Sequence, residues 1–505
     1  MSDEIFDVVI IGGGINGVGI ARDAVGRGFS TCLCEANGFG SGTSSASSKL
    51  IHGGLRYLEH FEFRLVREAL KERETLLTMA PHIIKPMRFI LPHSRFMRPA
   101  WLLRLGLFLY DHLGERKLLQ KSRRISLENS ETGIPLKSDF RWGFEYSDCW
   151  VDDSRLVLLN AIDARQRGAE MLVHTRVEQV KCEEGIWQVT TKNQRSGLVS
   201  TRKARIVVNA AGPWADQVLN TAFGMQNVKN TRLVRGSHVV VKKLFEHNKP
   251  YIFQNADERI VFAVPYLDDY TVIGTTDADQ SEMNDSPQIS DDERKYLCDA
   301  ANKYFTRQIT NKDIIWTYSG VRSLYNDGAT EARKATRDYI LSTDNSQGGT
   351  LINVFGGKIT TYRKLAESMM KHIEKTLGKR GNPWTATSSL PGGDFKVGDL
   401  LSVVQELKNN YPFLDDALAT RLSTNYGTLA TQVLGNAKSI ADLGECFGGN
   451  LFQKEVEYLV SNEWAVDAED ILFRCTRIGI GKPAEIYDGV ASFLRTHTNN
   501  QEIST

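Results

Sequence analysis

Residues 6–11 read FDVVII, a short apolar run, and lead straight into Gly12-Gly13-Gly14-Ile15-Asn16-Gly17. That order is strand, G-x-G-x-x-G turn, then helix, with Ala21 continuing a helix that ends near Gly26-Arg27-Gly28. A second strand, residues 31–34 (TCLC), ends in Glu35, 18 residues beyond Gly17. Such a unit holds a dinucleotide. Glycines let the backbone approach the pyrophosphate, and the helix N-terminus offers it free N–H groups and positive dipole. The acid accepts hydrogen bonds from ribose hydroxyls and repels a 2′-phosphate. Gly12, Gly14, Gly17 and Glu35 are therefore candidate cofactor-binding residues. The turn alone does not choose between NAD and FAD.

Later segments favour FAD. Residues 205–210 (RIVVNA) read as a strand and run into Ala211-Gly212. Residues 351–355 lead into Gly356-Gly357-Lys358-Ile359-Thr360-Thr361, another strand, glycine turn and helix start. Its N–H groups suit the electron-rich end of a flavin. The small, hydroxyl-rich stretch Thr43 to Ser48 lets backbone pass close beneath a flavin. The cofactor-binding block is thus discontinuous along the chain.

Composition sets outer limits. The 505 residues suggest about three domains. Apolar residues plus glycine reach about 49%, enough for a large core. Lys plus Arg is 62 against 61 for Asp plus Glu, which argues against a dedicated nucleic-acid binder. The seven cysteines are scattered, with no CxxC pair for a metal, as in a reduced cytosolic chain. The acidic start, Met1-Ser2-Asp3-Glu4, does not read as a signal peptide, and no run of about 18 uncharged apolar residues spans a membrane.

The segment Thr43-Ser44-Ser45-Ala46-Ser47-Ser48-Lys49-Leu50-Ile51-His52-Gly53-Gly54-Leu55-Arg56-Tyr57-Leu58 resembles the signature of FAD-dependent glycerol-3-phosphate dehydrogenases. Further matching motifs are Arg235-Gly236-Ser237-His238, Ile273-Gly274-Thr275-Thr276-Asp277, Tyr318-Ser319-Gly320-Val321-Arg322, Thr336-Arg337-Asp338-Tyr339 and Phe355-Gly356-Gly357-Lys358. They fall in the family's order, from the N-terminus to at least Leu390, and look most like the bacterial aerobic, respiratory, membrane-associated type. Two departures are Ser323, where the family often has Pro, and Cys475, where it often has a second arginine beside Arg474.

The resemblance implies oxidation of sn-glycerol 3-phosphate to dihydroxyacetone phosphate, with electrons passing from reduced FAD to a quinone. It also implies attachment to the inner face of the cytoplasmic membrane. Oxygen as acceptor is an alternative, as is a related amine or amino-acid oxidase. A dianionic phosphate needs fixed cations, and Arg binds oxygens in pairs. Arg56, Arg322 and Arg337, with Tyr57, are the expected substrate contacts. The alcohol must lose a proton, for which His is the usual acceptor. Of ten histidines, His238 is the expected base or orienter and His52 the expected flavin neighbour. Lys358 is placed to stabilise developing negative charge. Thr43, Ser47, Ser48, Lys49, Ala211, Gly212, Gly356, Gly357 and Thr360 complete the expected cofactor contacts.

The expected fold is α/β: an FAD-binding Rossmann-like domain of the glutathione-reductase and amino-acid-oxidase type, an antiparallel-sheet substrate cap and a C-terminal helical domain. The expected blocks are 1–70, 150–225 and 335–375 for FAD, 71–149 and 226–334 for the cap, and 390–505 for the helical domain. Residues 259–265 and 270–274 read as a hairpin around Asp268-Asp269. Residues 95–110 mix arginines with Trp101, Phe108 and leucines. They suit either a helix lying in the headgroup plane or a buried cap helix at a homodimer contact.

Overall fold

The computed structural model describes residues 4–94, 98–255, 257, 259–283, 286–326 and 338–502. The strand Ile5–Ile11 lies inside an eight-stranded sheet, between Val199–Asn209 and Thr31–Cys34, and is parallel to both. Thr350–Phe355 adds in parallel beyond Val199–Asn209. The apolar run has no polar face because both sides are covered, as parallel strands require. Val8 and Ile10 enter one core, Val9 and Ile11 the other. The helix Ile15–Gly26 packs between Asp153–Gln166 and Tyr362–Leu377. Three segments far apart in sequence thus build one nucleotide-binding layer.

The second sheet has ten strands, mostly antiparallel. Thr231–Lys242 lies between Tyr270–Gly274 and Ile314–Tyr325, in a register that sets His238 opposite Gly274 on one side and Tyr318 on the other. The expected hairpin around Asp268-Asp269 joins Ile260–Tyr266 to Tyr270–Gly274. Several expected boundaries fall inside elements: 149/150 lies within the strand Trp142–Val151 and 375 within the helix Tyr362–Leu377. Leu50–Ile51, assigned to the FAD block, pairs with Trp142–Val151 in the second sheet. Residue 70 falls inside the helix Phe63–Met79. A two-residue strand carries no readable periodicity, so only pairing reveals its sheet.

The C-terminal segment is mainly helical, as expected, with the helices Leu400–Asn410, Asp416–Tyr426 and Gln453–Glu463. Their apolar residues Leu418, Tyr426 and Leu459 belong to the same core as Val8, Ile10 and Val18. Buried charges reinforce the contact. Arg155, near the start of Asp153–Gln166, pairs with Glu463, and both side chains are fully buried. Arg474 Nη1 donates to the Phe39 carbonyl at 3.0 Å.

Candidate active site

Gly12 has φ +106°, and a Cβ there would lie 2.6 Å from the Ala210 carbonyl oxygen. A Cβ on Gly17 would lie 1.9 Å from the Gly12 oxygen. The turn is therefore closed to any side chain at either position. Ser44 Oγ accepts from the Ile15 N–H at 3.0 Å, pinning the hydroxyl-rich stretch to the helix start. Glu35 accepts from the Gly13 N–H at 2.6 Å and the Asn37 N–H at 2.7 Å. Burial raises the Glu35 carboxyl, while these N–H donors and Arg474 pull the other way. Asn16 Nδ2 donates to the Gly356 carbonyl at 3.2 Å, tying the first glycine turn to the late one. Its Oδ1 is buried without a hydrogen-bond partner among the described residues.

A cleft of about 790 Å³ runs from these turns to the underside of the second sheet. At its far end His238 is packed beneath Gly274, where a Cβ would fall 2.0 Å from the ring. The His238 and Tyr318 rings stack with centroids 4.6 Å apart. His238 Nε2 bonds Ser48 Oγ at 2.8 Å, and Nδ1 is buried without a partner among the described residues. Burial, then the Arg322 and Lys49 cations, hold this imidazole well below its ordinary pKa, so it is neutral near pH 7. His52 is also lowered, by burial first, with Asp148 opposing and Lys358 and Arg73 adding to it. Arg322 Nη1 donates to Asp277 at 2.7 Å and Nη2 to Thr275 Oγ1 at 3.0 Å, which fixes its fork. Lys358 Nζ sits 3.7 Å above the centre of the Tyr57 ring.

Two tight glycine turns, helix-start N–H groups, a buried Asn16 Oδ1 with no hydrogen-bond partner among the described residues and the Glu35 carboxylate at the end of the second strand fit FAD. Residues 7–363 match the model of the FAD dependent oxidoreductase family, and residues 384–502 match the C-terminal domain of alpha-glycerophosphate oxidase. A glycerol-3-phosphate dehydrogenase of Pseudomonas aeruginosa is 49% identical, covering 94% of this chain and 92% of that protein. The aerobic glycerol-3-phosphate dehydrogenase of Escherichia coli is 45% identical over 99% of each. The chain belongs to the FAD-dependent glycerol-3-phosphate dehydrogenase family. A D-erythritol 1-phosphate dehydrogenase of Brucella abortus is 46% identical, covering 94% of each chain. The solved glycerol-3-phosphate dehydrogenase of Bacillus halodurans, complexed with FAD, superposes with a TM-score of 0.81 at 27% identity, covering 99% of this chain and 91% of that one. The chain is an FAD-dependent oxidoreductase with the expected fold.

Within this dehydrogenase fold, every expected site residue except Gly17, Lys49 and Arg337 lines the cleft. Arg337 lies outside the described residues. Gly17 supports the turn from behind rather than facing the cleft. Lys49, expected at the cofactor, is 3% exposed and turns away, donating to Asp153 at 2.8 Å and to the Ser45 carbonyl at 3.1 Å. The reason is charge: a buried ammonium needs an anion, and Asp153 at a helix start supplies it. Sequence reasoning missed Asn16, Ser44, Asp277 and Tyr318. Asp277 and Tyr318 stand in the quoted motifs, which was their only signal. The anchoring of Arg322 by Asp277 depends on strand register.

Proposed function

We propose that this chain oxidises sn-glycerol 3-phosphate to dihydroxyacetone phosphate and passes the electrons to a membrane quinone. The observation that carries this is the convergence of Arg56, Arg322, Lys358, His52 and His238 in one cleft with the glycine turns. Bound FAD supplies the acceptor for the hydride leaving C2. Arg322, preset by Asp277 and Thr275, and Arg56 receive the phosphate dianion with little ordering cost. The neutral ring of His238 accepts a proton at Nε2. As the substrate hydroxyl gives its proton to Ser48 Oγ, Ser48 passes its own to His238. Lys358 offsets negative charge on the reacting oxygen. The aromatic walls, including Phe262 at 6.1 Å from His52, exclude water.

The test is the visible spectrum of the anaerobic flavoprotein before and after substrate. Glycerol 3-phosphate should bleach the flavin, and glycine should not. Preferential bleaching by D-erythritol 1-phosphate would move the substrate to the longer polyol, the activity named for the 46% identical relative. Reoxidation faster with oxygen than with a short-chain quinone would make the protein an oxidase.

Attachment to the inner face of the cytoplasmic membrane belongs to the same proposal. No helix among the described residues is long and apolar enough to cross a membrane. The helix Ala100–Leu113 buries Leu103, Leu107 and Tyr110 but exposes Trp101 (68%), Leu105 (48%) and Phe108 (52%). One face thus packs as a cap helix, while the other offers aromatic anchors beside the exposed Arg104. Residues 95–97 of the segment read from the sequence lie outside the described residues. Vesicle flotation should fall for Trp101→Glu with Phe108→Glu, and unchanged flotation would retire this helix as the anchor.

A further inference from the structure

Lys49, Asp153, Asp152 and Arg477 form a buried cluster behind the cleft wall, where the C-terminal domain meets the FAD block. Two cations balance two anions, and all four are at most 5% exposed. Asp153 is its centre. Its Oδ2 accepts from Ser47 Oγ at 2.7 Å and from the Ser47 N–H at 3.2 Å. Its Oδ1 accepts from Lys49 Nζ at 2.8 Å and from Arg477 Nη2 at 3.1 Å. Arg477 also grips Asp152, the N-cap of the helix that carries Asp153. The Lys49 N–H donates to Ser47 Oγ at 2.9 Å, closing a small ring around Ser48.

The consequence lies in the alternation. Ser47 and Lys49 are both tied to Asp153. Ser48, between them, presents its hydroxyl to His238 Nε2 at 2.8 Å. Clamping positions i and i+2 fixes the direction of i+1. Lys49 has φ 58°, a left-handed conformation that a lysine holds only where its surroundings enforce it. Lys49 Nζ also lies 5.0 Å from the centre of the Tyr318 ring, the ring on which His238 stacks.

We propose that Asp153, held by Arg477 of the C-terminal domain, is a positioning residue that aims Ser48 at His238. The C-terminal domain thereby contributes to the geometry of proton transfer, an inference that rests on the dehydrogenase reading above. Misaiming by a fraction of an ångström is enough to slow such a step. Binding of the phosphate, through Arg56 and Arg322, is untouched.

The experiment is anaerobic stopped-flow reduction of the flavin-loaded full chain by glycerol 3-phosphate. Ser48→Ala should slow reduction by roughly 10- to 100-fold, and Ser47→Ala by roughly tenfold, with little change in the substrate concentration for half-saturation. The double variant should be no slower than Ser48→Ala, because both act on one hydroxyl. Asp153→Asn should behave like Ser47→Ala, and Arg477→Lys should recover part of the rate lost in Arg477→Met. Full speed in Ser47→Ala, or losses that multiply in the double variant, would overturn the proposal even if Asp153→Asn does not fold. A wild-type flavin that glycerol 3-phosphate fails to bleach overturns the dehydrogenase reading itself, and this one with it, before any variant is compared.

Discussion

The glycine turn at 12–17 and the C-terminal segment at 384–502 hold the same FAD block from opposite ends of the chain, by unlike means. The turn works through what it lacks. Absent side chains let Gly17 pass 1.9 Å, at the Cβ position, from the Gly12 oxygen. The C-terminal segment works through what it adds: a shared apolar core and buried ion pairs such as Arg155–Glu463. Local chain geometry is written in neighbouring residues. Docking is written in pairs hundreds of residues apart, such as the separation of 308 between Arg155 and Glu463.

The comparison can be broken most sharply at the turn. Gly12→Ala puts a Cβ 2.6 Å from the Ala210 oxygen at a φ that L residues rarely adopt. The purified protein should lose its bound flavin, read as loss of visible absorbance, whereas no single change on the C-terminal surface should do so. Next in size is Glu463→Gln, which strands the buried Arg155 cation. It should cost about 3–5 kcal/mol in denaturant unfolding. The double change Arg155→Met with Glu463→Leu should cost less than the single one, because no charge is left unpaired.

Lys49, paired with Asp153 where the C-terminal segment meets the FAD block, gives the comparison a pH axis. Burial outweighs the attraction of Asp153 and pulls its ammonium down to about 8 from 10.5. A folded pKa below the unfolded one means that folding releases a proton across that window. This stabilising contribution is complete above pH 10.5 and is lost as pH falls through 8. The stability difference between wild type and Lys49→Met should therefore shift in favour of wild type from pH 8 to 10.5, by on the order of 1–3 kcal/mol. A flat difference would mean that Asp153 fully compensates the buried charge. The smallest effect belongs to the exposed face of the C-terminal domain. Leu401 is 79% exposed, and Leu401→Ser should change unfolding by no more than about 0.5 kcal/mol. A larger loss would show that this domain is held by more than its buried face.

Much of the site was legible because its pieces are short and local. Gly12 and the late Gly356-Gly357-Lys358 turn announce a backbone shape, and Glu35 announces an acid at the end of a strand. The motif histidines and arginines stand out by chemistry against a background of ten histidines. Lys49 misled for a physical reason. Its neighbours Ser47 and Ser48 line the cleft, and only the placement of Asp153, 104 residues away, shows that its ammonium turns inward. Asp277 and Tyr318 were visible as letters in motifs but not as partners, since pairing needs the register of three strands. The tail was readable as helices, yet its purpose was not. Arg477 carries no local signal that it reaches Asp152 and Asp153.

By itself the sequence determined the cofactor class and the glycine turns, and it singled out the arginines, histidines and lysine proposed to act on a phosphate and an alcohol. These follow from close spacing and residue type, which act within a few residues of chain. Only the tertiary structure decided which hydroxyl meets His238, what anchors Arg322 and which buried groups the C-terminal segment packs against. Hydrogen bonds and buried charges are satisfied in space, and a partner distant along the chain is invisible until the fold brings it within 3 Å.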